Sequence, residues 1–166
     1  GRQAGTAVGA VPVEGGSAMA DAAVGAEQLP VARTSRYRAD REFSSPQEAI
    51  ALSAMYGANH FPEVRGLACL TEQGTTPTMM SRLSSGLPIF ALSRRPDTLQ
   101  RLALCRGVIP LFFDFAAFAP QDLEARTIEF LVDGGFLSRG DFILMTMGST
   151  HGEAGKTDLM KILPVK

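Results

Sequence analysis

The chain has 166 residues, 45% of them hydrophobic and 20% charged, enough for one domain with a sizeable core. Its formal net charge of −1 gives no electrostatic reason to expect a nucleic-acid partner or a membrane surface. Cys69 and Cys105 are far apart in apolar surroundings and have no metal-ligand spacing, so a reducing, cytoplasmic setting is expected and a disulfide framework is not.

Residues 1–30 are rich in Gly and Ala, with Gly15-Gly16 interrupting any helix and a weak helical pattern from Ser17 to Gln28. Pro30 opens a polar arm that runs to Phe43. Arg33, Arg36, Arg38 and Arg41 in this arm alternate with Asp40 and Glu42, the pattern of a solvated segment rather than a nucleic-acid patch. Ser45-Pro46-Gln47-Glu48 is a helix start with a capping box, and the helix is expected to reach about Asn59. Ala49, Ile50, Ser53, Ala54 and Gly57 give it a small-residue face.

Gly66-Leu67-Ala68-Cys69-Leu70 reads as a strand buried on both faces. The turn Thr71–Thr76 follows it, then a helix for which Thr76 is the expected N-cap and Pro77 the first residue. Met79, Met80 and Leu83 form the apolar face of this helix, and Gly86 its end. Leu87–Leu92 is the second strand. Pro96 starts a third helix with Leu99, Leu102 and Ala103 inward and Gly107 as its stop. Val108–Phe113 is the third strand, which opens the longest apolar stretch. That stretch, from Leu111 to Ala119, is broken by Asp114 and too short to span a bilayer. Pro120 starts a fourth helix, with Leu123, Thr127, Ile128 and Leu131 on one face and Gly134-Gly135 at its end. Phe142–Met147 is the fourth strand, and a glycine-rich loop, Gly148–Thr157, leads to a last strand at Leu159–Val165. Alternating strands and helices imply an α/β domain with a mostly parallel sheet and helices on both faces. The last strand follows a loop without a helix, so it is expected antiparallel at an edge.

The turn Thr71–Thr76 admits two readings: a threonine that only caps a helix, or an anion site built from backbone N–H groups and a helix dipole. Gly152–Thr157 superficially matches a P-loop. Thr150 stands where the first glycine is needed, and Leu159–Leu163 has a strand pattern where a helix is required. The loop is instead expected to bring Lys156 to an anion. His60 is expected to cap a helix end, His151 to touch a ligand, and Glu72 to be a solvated turn residue. No nucleophile elbow and no paired carboxylates at defined spacing stand out.

In series, several segments resemble pyruvate kinase, in particular the bacterial type II enzymes. Thr6-Ala7-Val8-Gly9, Pro12, Glu14 and Met19 match the end of that enzyme's catalytic barrel. Glu48-Ala49-Ile50-Ala51 matches the first helix of its C-terminal domain, and Leu70-Thr71-Glu72, Gly74 and Thr76 match its strand-to-helix turn. Ser81-Arg82, Ser84–Ala91 and Arg106-Gly107-Val108 continue the match, and Gly140-Asp141, Gly155, Thr157 and Lys161-Ile162 close it.

The resemblance implies a barrel remnant and connecting arm at residues 1–43 and a regulatory α/β domain at residues 44–166. That domain would be three-layered, its five-stranded sheet ordered 3-2-1-4-5 with the last strand antiparallel. A phosphorylated metabolite, a sugar phosphate or AMP, would act as effector on Thr71, Gln73, Gly74, Thr75, Thr76 and Lys156. Gln73 and Thr75 replace the serine and arginine that the family turn often carries, and Gly5 and Gly15-Gly16 depart from its barrel segment. The parent reaction, phosphoryl transfer from phosphoenolpyruvate to ADP, would rest on a barrel outside the matched stretch, together with its Mg²⁺ and K⁺ ions. No cofactor is therefore expected in this chain, and alone it is expected to be inactive. The rest of pyruvate kinase and further copies of itself are the expected partners. The alternative is a subunit-contact domain that has lost effector binding; an autonomous hydrolase lacks a nucleophile or metal site.

Overall fold

The computed structural model describes residues 42–83, 85–150 and 156–166. The weak helix at 17–28, the arginine-rich stretch 33–41 and His151 lie outside the described residues. Phe43–Lys166 forms one compact unit. Its elements are α1 (Pro46–His60), β1 (Val64–Leu70), α2 (Thr75–Ser81), β2 (Ile89–Ser93), α3 (Pro96–Leu102) and β3 (Val108–Phe112). Two short 3₁₀ turns, Phe115–Ala117 and Pro120–Asp122, lead into α4 (Leu123–Asp133), followed by β4 (Phe142–Met147) and β5 (Leu159–Pro164).

The five strands form one sheet of order β3-β2-β1-β4-β5. All neighbours run parallel except β4 and β5, which pair antiparallel with Met145 opposite Lys161. The antiparallel pairing follows from chain length, since the short β4–β5 connection cannot carry the crossover that a parallel return needs. Along β1 the period of two sends Leu67 and Cys69 to one face, Ala68 and Leu70 to the other. On the first face α1, α2 and α3 bury Ala54, Met55, Met80 and Leu102 against Leu67, Cys69, Ile89, Ala91 and Leu144. On the second, α4 buries Leu123 and Leu131 against Leu70, Phe90, Leu92, Ile143 and Met145. Both faces are covered, which is why β1, β2 and β4 read as continuous apolar runs.

Several local expectations shift. Ser45 caps α1 through Glu48 N (3.1 Å), as the capping box requires. The helix buries Ala51, Ala54, Met55 and Ala58 rather than the stripe expected from Ala49 to Gly57. It packs against α2 as well as against β1 and β4, which turns the buried stripe toward α2. In α3, Thr98 and Leu102 are the buried pair, while Ala103 lies past the helix end and is exposed. The α2 helix stops at Ser81, before Gly86. Most relevant to the site, Thr76 is not the N-cap of α2. Gly74 holds that position at φ 80°, with no side-chain cap. A glycine adopts this left-handed backbone without steric cost, so the helix starts two residues earlier and Thr76 is drawn inward.

A candidate anion pocket at the switch point of the sheet

From β1 the chain proceeds to β2 on one side, and β4 is inserted on the other. The C-terminal ends of β1 and β4 thus flank the point where strand order reverses, the usual ligand position in open α/β sheets.

The first wall is the turn after β1. Thr71 Oγ1 accepts from Gly74 N (2.8 Å) and closes the turn. The carbonyl oxygens of the turn are engaged by α3: Thr98 Oγ1 donates to Glu72 O (2.7 Å) and Arg101 Nη2 to Gln73 O (3.2 Å). These bonds tie the turn's acceptors to α3. The N–H groups of Thr75 and Thr76 begin α2 and have no acceptor within the helix. The Glu72 carboxylate is not a solvated turn group as expected. Its side chain is only 9% exposed, and Arg94 Nε meets Oε1 at 2.8 Å, so the charge is compensated from the loop after β2.

The second wall is the loop after β4. A Cβ on Gly148 would come within 2.6 Å of Lys156 O, so the two ends of the loop touch, which only glycine allows. Ser149 donates from its backbone N (2.8 Å) and its hydroxyl to the Asp158 carboxylate. Those bonds, the hydroxyl's first, hold the Asp158 carboxyl below its ordinary value. The pinched neck fixes Lys156 and Thr157 beside β4. The helix that a P-loop requires after Lys156-Thr157 is absent; irregular backbone leads into β5.

Between the walls lies a cavity of about 40 Å³. Thr71, Gln73, Thr75, Lys156 and Thr157 line it, with Gln47 from α1 and a floor of Leu70, Phe115, Leu123 and Met147. Of the expected site residues, Thr71, Gln73, Thr75 and Lys156 therefore share one pocket. Gly74 and Thr76 stand behind its wall. Thr76 Oγ1 donates to Thr157 Oγ1 (2.8 Å) and accepts from Gln47 Nε2 (3.1 Å). Gln47 and Thr157 were missed as site residues by sequence reasoning. Gln47 carries no local signal beyond its place in a helix start, whereas Thr157 was already part of the family pattern.

The remaining reactive residues lie elsewhere. His60 is at the far end of α1 from Gln47, its Nδ1 2.8 Å from Tyr56 O and its ring stacked on Tyr56. The Cys69 thiol is pushed up to about 12, chiefly by complete burial, and is inert at neutral pH. Among the described residues no three His, Cys, Asp or Glu side chains converge, so they offer no divalent-cation site. No helix among them is long and apolar enough to cross a membrane.

The sheet order and the pocket between β1 and β4 define a three-layer α/β domain with its polar loops gathered at one strand end. The chain belongs to the family described as the pyruvate kinase alpha/beta domain, which matches residues 48–163. It is 44% identical over 161 residues to pyruvate kinase II of Salmonella typhimurium (strain LT2), covering 97% of this chain and 33% of that protein. It is 45% identical over 168 aligned positions to pyruvate kinase of Haemophilus influenzae, again 97% of this chain and 33% of the relative. A yeast relative, pyruvate kinase of Naumovozyma castellii, is 29% identical over 163 residues, 93% of this chain and 32% of its own length. The chain thus spans about a third of the curated relatives it matches.

Proposed function

We propose that this chain is the regulatory domain of a cytoplasmic pyruvate kinase and that its pocket takes the phosphate of a phosphorylated metabolite, a sugar phosphate or AMP. The observation that carries the reading is the convergence, at the switch point of the sheet, of two loops some eighty residues apart. One supplies the Thr71–Thr76 turn, the other Lys156 and Thr157. Hydroxyls, helix-start N–H groups and one ammonium are donors, and the turn's carbonyls are engaged by α3. An acceptor-rich anion complements that set. Arg94 neutralises Glu72, the one carboxylate on the wall among the described residues. A volume of about 40 Å³ suits a phosphoryl head, with the rest of the metabolite outside it.

In this reading residues 1–43 are a barrel remnant and connecting arm, and residues 44–166 the regulatory domain. Phosphoryl transfer from phosphoenolpyruvate to ADP, with its Mg²⁺ and K⁺, belongs to the two thirds of the relatives that this chain does not span. The test is a thermal shift of the chain against glucose 6-phosphate, ribose 5-phosphate, AMP and inorganic phosphate. A ligand at a hundred times its Kd stabilises the folded state by about 2.7 kcal/mol, several degrees for a domain of this size. No shift with any of them at millimolar concentration overturns the reading.

A second reading, a subunit-contact domain in a homo-oligomer, is favoured by one observation. Among the described residues no strand pairs with the outer edge of β5, and Met160 and Ile162 on it are 40% and 46% exposed. An apolar open edge is a template for pairing with another chain. Concentration-dependent sedimentation of the chain tests it.

A further inference from the structure

The pocket contains a hydrogen-bond chain whose direction is set by chemistry. Gln47 Nε2 is an amide nitrogen and can only donate, and its partner at 3.1 Å is Thr76 Oγ1. Thr76 is 1% exposed, so its own hydroxyl proton has no access to water and must find a protein acceptor. The acceptor is Thr157 Oγ1 at 2.8 Å. Thr157 is itself 7% exposed and lines the pocket. With its oxygen already accepting from Thr76, its proton is directed away from Thr76. No described residue takes that proton.

We propose that Thr157 is a committed hydrogen-bond donor to an anion in this pocket, its sense fixed by Gln47 acting through Thr76. The inference rests on the effector-pocket reading above and adds to it two residues and a polarity. A hydroxyl free to rotate can donate or accept, and does not distinguish a phosphate oxygen from a ligand hydroxyl. A hydroxyl locked as a donor favours a group that only accepts, such as a dianionic phosphate. Thr157 touches the ligand; Thr76 and Gln47 are positioning residues.

The experiment is calorimetric titration of the full chain and its variants with AMP and with inorganic phosphate, alongside melting curves. Thr157→Val removes the donor at nearly constant shape and is expected to weaken both ligands about tenfold, whereas Thr157→Ser stays within about twofold of the parent chain. Gln47→Glu keeps the size but turns the first donor into an acceptor. Thr76 then donates backward to the carboxylate, and Thr157 must donate to Thr76 instead of to the ligand. A glutamate in the first turn of α1 suits the helix dipole, so the fold is expected to survive. Its effect on binding is expected to be about tenfold or more in the parent chain and to disappear in the Thr157→Val background. A penalty that persists undiminished in that background shows a direct charge effect and overturns the role of Gln47. Parent-like binding by Thr157→Val, or by Thr157→Ala should the valine variant not fold, overturns the donor role of Thr157 while leaving the pocket reading intact. Failure of the parent chain to bind either ligand overturns both.

Discussion

Arg94 and Glu72 meet across the mouth of two neighbouring loops, Nε to Oε1 at 2.8 Å, with the Glu72 side chain nearly buried and Arg94 partly in solvent. Arg94 neutralises a carboxylate on the wall of the pocket between the β1 and β4 loops. Arg94→Ala leaves that charge uncompensated. Because the arginine is partly solvated, the expected loss of stability is moderate, about 1–2 kcal/mol in urea unfolding. Binding of a phosphorylated ligand is expected to weaken more than with Glu72→Gln, which removes the charge itself. Equal behaviour of the two variants in titration refutes the electrostatic role.

Lys156 is the ammonium of the pocket. A charged hydrogen bond contributes roughly 1.5–3 kcal/mol, so Lys156→Ala should weaken the effector found by the thermal screen by about one to two orders of magnitude. Melting temperature should hardly change, since the residue is exposed. Calorimetry that finds parent-like affinity in Lys156→Ala removes the second loop from the site and moves the subunit-contact reading ahead.

Gly74 is the hinge of the first loop. At φ 80° a side chain is strained, and a Cβ would lie 3.1 Å from Leu102 Cδ2 and from Thr98 Cγ2. Gly74→Ala is expected to cost about 1–2 kcal/mol in chemical denaturation, more than an alanine at an exposed helical position. Phosphate affinity should fall with it, because the turn and α3 shift together. A neutral result would mean that the turn relaxes into another conformation.

The buried Cys69 thiol gives a pH dependence with a definite sign. Its folded value is raised to about 12 from an ordinary 9.0, chiefly by burial. The native state therefore keeps a proton that the unfolded chain releases above pH 9, and stability falls as pH rises from there toward pH 12. This one group contributes up to about 1.4 kcal/mol of loss per pH unit in that window. Cys69→Ala should flatten the alkaline limb of the stability curve between pH 9 and 11. In native protein at pH 8, a thiol reagent should modify the partly exposed Cys105 and leave Cys69 untouched.

The open β5 edge predicts self-association. Ile162→Lys places a charge on an exposed strand position next to the unpaired edge. Sedimentation velocity should show a shift toward monomer with no change in effector titration. A parent chain that is monomeric at high concentration excludes the edge as a contact by itself.

Much of the architecture was legible in residue order. Apolar runs such as Gly66–Leu70 and Phe142–Met147, separated by proline-led helix starts at Pro46 and Pro96, place strands and helices because local periodicity and capping are local properties. The antiparallel last strand followed from the short Gly148–Thr157 connection. Thr71, Gln73, Gly74, Thr75, Thr76 and Lys156 were singled out by the family resemblance together with the polar donors of loops at strand ends, and of these Thr71, Gln73, Thr75 and Lys156 line the pocket. The sequence did not reveal which side of the turn each residue would take. Thr76 has the chemistry of an N-cap, yet Gly74 takes the N-cap position of α2 and Thr76 faces inward, where Gln47 and Thr157 are its partners. Glu72 has the chemistry of a solvated acid, yet Arg94 and the packing of α3 draw it in. Those outcomes depend on side chains 22 to 81 residues away that meet only once the sheet is assembled, and no local propensity encodes such meetings.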